Sequence, residues 1–385
     1  MIILDDSFVS ERMRAYLECS QQPVLATDMA RGIAACGRDI VLVEPTEAVR
    51  RVDAGERLYA QSESRLAWVT SHVGNPDILH GIEVFKDKER MRKMLAPLYP
   101  DYFFAACSVD ELVGMEYPAH AAPFVLKPSI GFLSIGVYAI GSREQWEAAI
   151  ADIRTHRADW TACYDESVIG GTRFIIESSI EGTEYALDAY YDEWGDAHLL
   201  DILRHDFADP ADTSDRLYVT SASIVREKSA SMLAFLRRVN DCAHVKNLPV
   251  HVEVRECDGA ICPIEFNPLR FAGLGGTEIS DFAYGFFAFD CYLRGEDPDW
   301  DAVLPRCDDR LYCMSVLNPP PGLPSGMMMD YRALASRFAH PLAIERFDRD
   351  STGIFGFMFW KTDPGDSAER EFLLRTDLRE FLRNG

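Results

Sequence analysis

The stretch HVEVRECDGAICPIEFNPLRFAG, residues 251–273, holds two apolar, strand-like runs on either side of a tight Asp258-Gly259 turn. Alternate side chains of a strand point to the same face, so Glu253 shares a face with residues 251 and 255, and Glu265 shares one with Asn267. A three-residue loop, 258–260, would place Glu253 directly opposite Glu265. A two-residue loop would place these carboxylates on opposite faces of the hairpin.

A hairpin with two facing carboxylates favours a bound cation, because like charges directly opposite each other destabilise paired strands. Glu253, Glu265 and Asn267 offer two carboxylates and one amide oxygen. This hard oxygen set suits Mg²⁺, which takes few protein ligands and completes its shell with water and phosphate, and Mn²⁺ is the alternative ion. A solvated acidic face is the competing interpretation, but apolar neighbours such as Val252 and Phe266 favour a site.

The chain is acidic, with 385 residues and a formal net charge of -23. Its 48% hydrophobic content supports a sizeable core and predicts two or three domains. The negative charge repels phosphate backbones, so nucleic-acid binding is not expected. The 10 cysteines include no Cys-x-x-Cys pair, which is typical of reduced thiols in a cytoplasmic protein. Neither a signal peptide nor a membrane-spanning run of about 20 apolar residues is expected.

Residues 1–80 alternate short apolar runs with helical patterns. Residues 24–26 and 40–43 are predicted strands, and residues 28–36 between them are a predicted helix. Strands that alternate with helices indicate a parallel sheet with crossover helices. Residues 81–120 are predicted to be a helical connector, whose segment FKDKERMRKML (85–95) carries a basic cluster in an otherwise acidic chain.

A compact unit is predicted for residues 121–183. Its parts are a strand (PFVLK, 123–127), a loop (PSIGFLSIGV, 128–137), a strand (137–140), a helix (142–156) and a strand (174–178). The loop contains Gly131, Ser134 and Gly136. A Gly/Ser loop that follows a strand-borne lysine such as Lys127 can fold over phosphates, with backbone N–H groups and the ammonium as donors. An ordinary hairpin connection is the alternative.

Residues 184–303 contain long alternating runs. The run TEYALDAYYDEWGDAHLLDILRHDF (183–207) predicts a hairpin, and residues 227–245 predict an amphipathic helix that leads into the hairpin described above. Residues 304–385 mix predicted strands and helices. The predicted fold class is α/β (α+β).

The motifs, in their order along the chain, resemble the ATP-grasp superfamily of carboxylate–amine ligases. They are a lysine near a helix start, a lysine before a Gly/Ser loop, an acidic EGTE segment (181–184) and the E…E-x-N hairpin. The resemblance covers roughly residues 80–290. It implies an ATP-grasp fold with an N-terminal parallel-sheet α/β domain (1–80), a helical connector (81–120), a small lid domain (121–183), a central mainly antiparallel-sheet domain (184–303) and a C-terminal α+β extension (304–385).

Carried over by position, the resemblance implies which residues bind the phosphates of ATP and the metal. Lys88 and Lys127 would be the phosphate-binding lysines, and Lys127 would also be catalytic. The loop 131–137, with Gly131, Ser134 and Gly136, would close over the phosphates. The implied metal ligands are Glu253, Glu265 and Asn267.

The resemblance also implies an adenosine site and a catalytic arginine. Glu177 would lie beside the adenine amino group, and the backbone of Ser178 to Ile180 would bind the edge of the ring. Glu184 would hold the ribose hydroxyls. Arg270 would lie beside the transferred phosphate or the acyl oxyanion.

Two residues depart from the family pattern. Leu133 stands in the phosphate loop where relatives usually have Gly, which puts the closure of this loop in question. Leu269 lies between Pro268 and Arg270, whereas relatives often have E-x-N-P-R. The insertion puts the role of Arg270 in question more than the metal site.

Substrate-binding candidates lie on or after the same strands. Arg255 shares a face with Glu253 and could clamp a carboxylate with two hydrogen bonds. The turn Gly275-Gly276-Thr277 offers backbone donors to a second carboxylate. Arg204 and His205 are further candidates, for which an ordinary strand surface is the alternative.

The resemblance predicts an enzyme, an ATP-dependent, ADP-forming ligase. It would join a small carboxylate, by family habit an amino acid, to an amine through an acyl phosphate, and its product would be an amide or a dipeptide. Its partners would be these small molecules, and a homodimer is an open option. An ATP-dependent small-molecule kinase and a non-catalytic nucleotide-binding protein are the alternatives. No Ser-His-Asp or Cys-His arrangement is found, which agrees with chemistry that needs positioning and charge neutralisation.

Overall fold

The computed structural model describes residues 1–131, 136–163, 173–209, 212, 214–324 and 326–384. Leu133 and Ser134 of the predicted phosphate loop lie outside the described residues.

The N-terminal region alternates short strands with helices, as the sequence pattern predicts. Its elements are β1 (Ile2–Ile3), α1 (Glu11–Ser20), β2 (Val24–Leu25), α2 (Asp28–Ala35), β3 (Leu42–Val43), α3 (Pro45–Asp53) and β4 (Tyr59–Ala60). The strands form a parallel sheet in the order β3-β2-β1-β4. Met13 and Leu17 of α1 are buried one helical turn apart, so this face of the helix packs into the core. The predicted parallel sheet is confirmed.

Three helices follow: α4 (Leu66–His72), α5 (Pro76–Lys86) and α6 (Lys88–Leu95). The basic segment 85–95 is interrupted at Asp87, which has extended backbone angles and whose carboxylate accepts a hydrogen bond from the N–H of Glu89. This cap begins a new helix and makes Lys88 its first residue. Met91 and Leu95 of α6 are buried, which fixes the orientation of the helix against the core.

A small antiparallel sheet comes next, which we call the lid sheet. Its region contains β5 (Phe104–Ser108), α7 (Val109–Gly114), β6 (Phe124–Pro128), β7 (Tyr138–Ile140), α8 (Arg143–Cys163) and β8 (Arg173–Ser178). The strand order is β5-β8-β6-β7. Strand β5 lies in the predicted helical connector, where the sequence pattern indicates no strand. It pairs with β8 along its whole length, and these long-range hydrogen bonds outweigh the helical propensity of its two alanines.

The central region is built from long antiparallel strands and one long helix. The elements are β9 (Thr183–Tyr191), β10 (Ala197–Asp206), β11 (Leu217–Thr220), α9 (Ala222–Ala243), β12 (Leu248–Cys257) and β13 (Ala260–Pro268). Both predicted hairpins, β9–β10 and β12–β13, are present. Helix α9 buries Met232, Phe235, Leu236 and Val239, which lie on one face at helical spacing.

The last part of the chain extends the central sheet. Its elements are α10 (Ile279–Tyr284), α11 (Ala288–Arg294), α12 (Trp300–Val303), β14 (Leu311–Val316), β15 (Met327–Met329), α13 (Tyr331–Ala335), β16 (Pro341–Arg346), α14 (Arg349–Thr352), β17 (Gly356–Thr362), α15 (Ala368–Arg375) and β18 (Leu382–Asn384). The central sheet has the order β13-β12-β9-β10-β11-β14-β17-β16, and β15 pairs with β18. Strands from residues 304–385 therefore continue the sheet that carries the acidic hairpin. None of the described helices is long and apolar enough to cross a membrane.

Candidate active site

The β12–β13 hairpin has a two-residue turn, yet its two glutamates face each other. Cys257 pairs with Ala260, so residues 258 and 259 alone form the turn. Glu253 nevertheless pairs directly with Glu265. The expectation that a two-residue loop separates the carboxylates is therefore wrong.

A β-bulge at Pro263 explains the facing glutamates. Pro263 pairs with Val254, whereas the next pair is Glu253 with Glu265, so Ile264 is an extra residue on β13. Proline has no N–H for the ladder and is confined within sheets to edge strands and bulges. Strand β13 is one of the two edge strands of the central sheet. The extra residue reverses the facing of the side chains beyond it.

The two facing carboxylates differ in their electrostatic surroundings. Their side chains are 23% (Glu253) and 20% (Glu265) exposed. Burial and the charge of Glu265 raise the pKa of Glu253 well above its ordinary value. Burial acts in the same direction on Glu265, but Lys88 and Lys127 reverse this and lower the pKa of Glu265. The site therefore favours an additional cation beside Glu253, where His251 Nε2 lies 3.9 Å from Glu253 Oε1.

The hairpin residues fit a magnesium ion by their chemistry. Asn267 Nδ2 donates a hydrogen bond of 3.0 Å to Glu265 Oε1, which brings the amide beside the carboxylate pair. A divalent cation would relieve the repulsion that raises the pKa of Glu253. Within the described ranges, no group of three or more His, Cys, Asp or Glu side chains is arranged to hold a metal. The set here consists of two carboxylates and one amide, which is sufficient for Mg²⁺.

The two lysines predicted to bind phosphate reach this site from different elements. Lys88 Nζ, at the start of α6, lies 2.7 Å from Glu265 Oε2. Lys127 Nζ, on β6, lies 2.6 Å from Glu177 Oε1. Burial lowers the pKa of Lys127, and the nearby charges of Lys88 and Arg92 add to this effect. A polyphosphate would neutralise this concentration of positive charge.

Glu177 is part of a buried ion-pair cluster. Its carboxylate lies 2.6 Å from Lys127 Nζ and 2.7 Å from Arg92 Nε. Burial acts to raise the pKa of Glu177, but Lys127 and Arg92 outweigh it and lower the pKa to about 2. The carboxylate is therefore charged and engaged by two cations. Contact between Glu177 and an adenine amino group stays a prediction.

The predicted adenine hinge already makes hydrogen bonds within the protein. The Ser178 carbonyl accepts a hydrogen bond of 2.9 Å from Tyr102 Oη. The Ile180 carbonyl accepts one of 2.7 Å from Arg255 Nη1. These bonds hold the hinge between the lid sheet and the β12–β13 hairpin.

The predicted ribose residue and two substrate candidates form one cluster. Glu184 Oε2 accepts a hydrogen bond of 2.9 Å from Arg255 Nε, and Glu184 Oε1 lies 2.9 Å from His205 Nδ1. Burial acts to raise the pKa of Glu184, but His205 and Arg255 lower it. The guanidinium of Arg255 is thus bound by Glu184 and the Ile180 carbonyl. A role for Arg255 in clamping a substrate carboxylate would require it to leave these partners.

Arg204 is not brought to the site. Adjacent residues of β10 point to opposite faces, so Arg204 lies on the face opposite to His205. Its Nε and Nη2 atoms donate hydrogen bonds of 2.6 and 2.9 Å to the Asp206 carboxylate. Arg370 of α15 also lies 3.4 Å from Asp206 Oδ2. Arg204 therefore belongs to a contact between the central sheet and the last helix.

The turn Gly275-Gly276-Thr277 is buried in a 3₁₀ segment, Gly273–Glu278. Thr277 Oγ1 donates a hydrogen bond of 2.6 Å to Asp188 Oδ2, and Thr277 N donates one of 3.2 Å to the Ala272 carbonyl. Asp188 Oδ1 also lies 2.7 Å from His251 Nδ1. Both donors of Thr277 are therefore used inside the protein, and Asp188 ties the turn to β12.

Arg270 lies beside the acidic hairpin despite the extra residue before it. Leu269 has a φ of 64° and is fully buried, and its N–H donates to the Pro249 carbonyl at 2.8 Å. The left-handed backbone conformation of Leu269 accommodates this extra residue between Pro268 and Arg270. Arg270 Nη2 lies 3.4 Å from Glu63 Oε2. Burial raises the pKa of Glu253, and Arg270 is a nearby cation that opposes the rise.

Two buried residues at the site have no predicted role: Arg92, which the sequence analysis includes only as part of the basic cluster in 85–95, and Asp188. Arg92 lies four residues after Lys88 and so on the same face of α6, a spacing that could have found it. Asp188 is fully buried in the otherwise apolar middle of β9 and pairs with His251. An acidic residue at an interior strand position is the available signal.

Gly182 of the EGTE segment allows this segment to approach the hairpin closely. It has a φ of 111°, and a Cβ there would lie 2.2 Å from the Glu256 carbonyl oxygen. We expect Gly182→Ala to lower the free energy of unfolding by about 3 kcal/mol, from left-handed strain and overpacking together. Urea unfolding measures this loss. Gly259→Ala is the control, since its φ is 80° and no atom lies within 4 Å; an equal loss in both variants would contradict the predicted close contact.

Residues 120–278 match the sequence family described as the ATP-grasp domain. The chain contains an ATP-grasp domain. The matched segment contains Lys127, Glu177 and both hairpin glutamates, whereas Lys88 precedes it. The predicted superfamily is thereby confirmed. Among curated proteins, none matches this ATP-grasp sequence.

Solved structures share the architecture of this chain over nearly its full length. L-amino acid ligase from Bacillus licheniformis has a TM-score of 0.66 at 16% identity, with 100% of this chain and 98% of that chain covered. N5-carboxyaminoimidazole synthase from Aspergillus clavatus, in complex with ADP and 5-aminoimidazole ribonucleotide, has a TM-score of 0.58 at 15% identity, with 96% of each chain covered. The biotin carboxylase domain of Hydrogenobacter thermophilus 2-oxoglutarate carboxylase, with MgADP and bicarbonate, has a TM-score of 0.58 at 11% identity, with 94% and 86% covered. These likenesses confirm the predicted ATP-grasp fold.

Proposed function

We propose that this ATP-grasp protein is an ADP-forming ligase that joins a small carboxylate, of amino-acid type, to an amine through an acyl phosphate. The observation that carries the proposal is the convergence of Lys88 and Lys127 on the facing pair Glu253 and Glu265. Such an arrangement suits a magnesium-bound polyphosphate. It has no role in a protein that binds only an uncharged metabolite.

Glu253, Glu265 and Asn267 would hold the magnesium ion. When bound, Mg²⁺ neutralises phosphate charge and orients the phosphoryl group for in-line transfer. Lys88 and Lys127 would each neutralise further phosphate charge, since the Lys88 ammonium lies beside Glu265 of the hairpin and the charge of Lys127 acts on the same carboxylate. In this arrangement the protein supplies position and charge rather than a covalent nucleophile.

Arg270 would stabilise the oxyanion that forms when an amine attacks the acyl phosphate. The attack forms the C–N bond of the amide, phosphate leaves with the electrons of the C–O bond, and the proton lost by the amine nitrogen goes to the released phosphate. Support for this role comes from the buried Leu269 turn and from Glu63, 3.4 Å away, which hold Arg270 beside the hairpin. Its guanidinium is always charged, so it can stabilise the oxyanion without a proton transfer.

Support for an amino acid as substrate comes from the likeness to L-amino acid ligase, which covers the whole of this chain. The cytoplasmic location and a homodimer stay predictions.

The test is the release of ADP and phosphate from Mg-ATP with single amino acids and then with pairs, followed by mass spectrometry of the product. We expect release that requires an acid and an amine together, and a product mass equal to their sum less water. Glu265→Gln, measured in parallel, shows whether release belongs to this site. A stable phosphoester without a condensed product would contradict the ligase and favour a kinase.

A further inference from the structure

Arg92 lies at the junction of three elements of the site. It is 3% exposed, and its Nε donates a hydrogen bond of 2.7 Å to Glu177 Oε2 at the end of β8. Its Nη1 donates one of 2.7 Å to the Pro263 carbonyl on β13. The guanidinium carbon lies 4.4 Å from the centre of the Tyr102 ring. One side chain of α6 therefore contacts both the lid sheet and the acidic hairpin.

The contact with Glu177 fixes the position of a phosphate-binding lysine. Glu177 and Lys127 are 3% and 6% exposed, and their charged atoms lie 2.6 Å apart. Glu177 can bridge both cations because its two carboxylate oxygens are used separately, one for Lys127 and one for Arg92. Without Arg92, Glu177 would be free to draw toward Lys127 alone.

The contact with Pro263 falls at the bulge. Pro263 is the last residue before the register shift that sets Glu253 opposite Glu265. The hydrogen bond from Arg92 occupies its carbonyl, and Tyr99 Oη donates a second bond of 2.8 Å to the Ile261 carbonyl on the same strand. The segment that begins with Lys88 therefore covers the outer edge of β13 and holds the bulge in place.

The geometry points to Arg92 as a positioning residue, which fixes the position of the phosphate-binding Lys127 relative to the bulged metal-binding hairpin. It acts through Glu177 on one side and through Pro263 on the other. The inference rests on the proposed function, because it takes the hairpin as the magnesium site. Arg92 binds neither metal nor phosphate in this proposal, but the metal-binding and the phosphate-binding residues both depend on it for their positions.

The variant Arg92→Lys tests the contact with Pro263 separately from the contact with Glu177. Lysine keeps a cation beside Glu177, but its single ammonium cannot reproduce the planar fork that also reaches Pro263. We expect metal-free affinity for a non-hydrolysable ATP analogue to stay within about threefold of wild type. We expect the tightening caused by Mg²⁺ to fall by about 10-fold or more, as is found when residues that orient metal ligands are replaced.

The experiment is calorimetric titration of the folded full chain with the ATP analogue AMP-PNP, in EDTA and in Mg²⁺. Arg92→Met should weaken both titrations, because Glu177 then loses its second cation. Arg90→Met is the matched control, since Arg90 is exposed on the same helix and pairs with Glu83. If Arg92→Met fails to fold, Arg92→Lys decides alone.

An Arg92→Lys protein with the wild-type response to Mg²⁺ would overturn the inference. So would an equal loss in Arg90→Met, because that result would reflect general damage to α6. AMP-PNP binding needs neither acid nor amine, so an enzyme that joins no tested pair still tests the inference. A wild-type chain that binds no AMP-PNP would instead overturn the proposed function.

Discussion

Glu265→Gln is expected to lower the rate of ATP-dependent phosphate release at least about 100-fold, because it removes a carboxylate that would hold the magnesium ion beside the reacting phosphates. Glu265 is one of the two facing carboxylates of the proposed magnesium site, and Lys88 Nζ lies 2.7 Å from it. Glutamine is nearly isosteric, so the bulged hairpin should be kept. The measurement is the initial rate at saturating Mg-ATP with the acid and amine that support turnover.

Glu227→Gln is the matched control for this prediction. Glu227 is an exposed glutamate of α9 with a surface contact to Lys228, so its replacement should leave the rate unchanged. A Glu265→Gln enzyme that kept more than half of the wild-type rate would show that Glu265 is not a metal ligand. An equal loss in both variants would indicate a general effect of the lower negative charge.

Glu177→Ala is expected to lower the free energy of unfolding by about 3–5 kcal/mol, because it leaves buried charge uncompensated. Lys127 and Arg92 would remain as two neighbouring buried cations without their shared partner. Urea unfolding at neutral pH measures the loss. Glu83→Ala removes an exposed carboxylate that pairs with Arg90, and it should cost less than about 1 kcal/mol.

The pH dependence of the unfolding free energy gives a second test of the ion pairs of Glu177. The pKa of Glu177 is lowered from the ordinary value of 4.5 to about 2. A group whose pKa falls on folding stabilises the fold fully above its ordinary pKa and loses this contribution as the pH falls toward the lowered value. The difference in unfolding free energy between wild type and Glu177→Gln should thus be constant above pH 4.5 and shrink below it. A difference that stayed constant down to pH 3 would contradict the assigned ion pairs.

The β12–β13 hairpin shows what an alternating sequence pattern can predict and what it cannot. Alternation with a period of two places Glu253 and Glu265 on strands and shows which neighbours share their faces. It does not locate a bulge, and counting the loop residues alone leads to the opposite result. Pro263 within the run was the available signal, because proline cannot donate to a central ladder.

The predicted binding residues show the same difference between what a local sequence pattern locates and what only the fold locates. Lys88 lies at a helix start and Lys127 near a strand end, which are local features, but only Lys88 pairs with the acidic hairpin, whereas Lys127 pairs with Glu177. Arg204 and His205 are neighbours in the sequence, yet only His205 reaches Glu184. Strand alternation separates them, and only the packed sheet shows which of the two faces the site.

The sequence by itself determined the alternating β12–β13 runs, the order of the lysine and glutamate motifs, and so the ATP-grasp fold that the comparisons confirm. Only the tertiary structure decided that Glu177 binds Lys127 and Arg92, and that a bulge sets the two carboxylates face to face. The reason is distance along the chain. Arg92 and Glu177 are 85 residues apart, and local propensities carry no information about which distant charges burial will bring together.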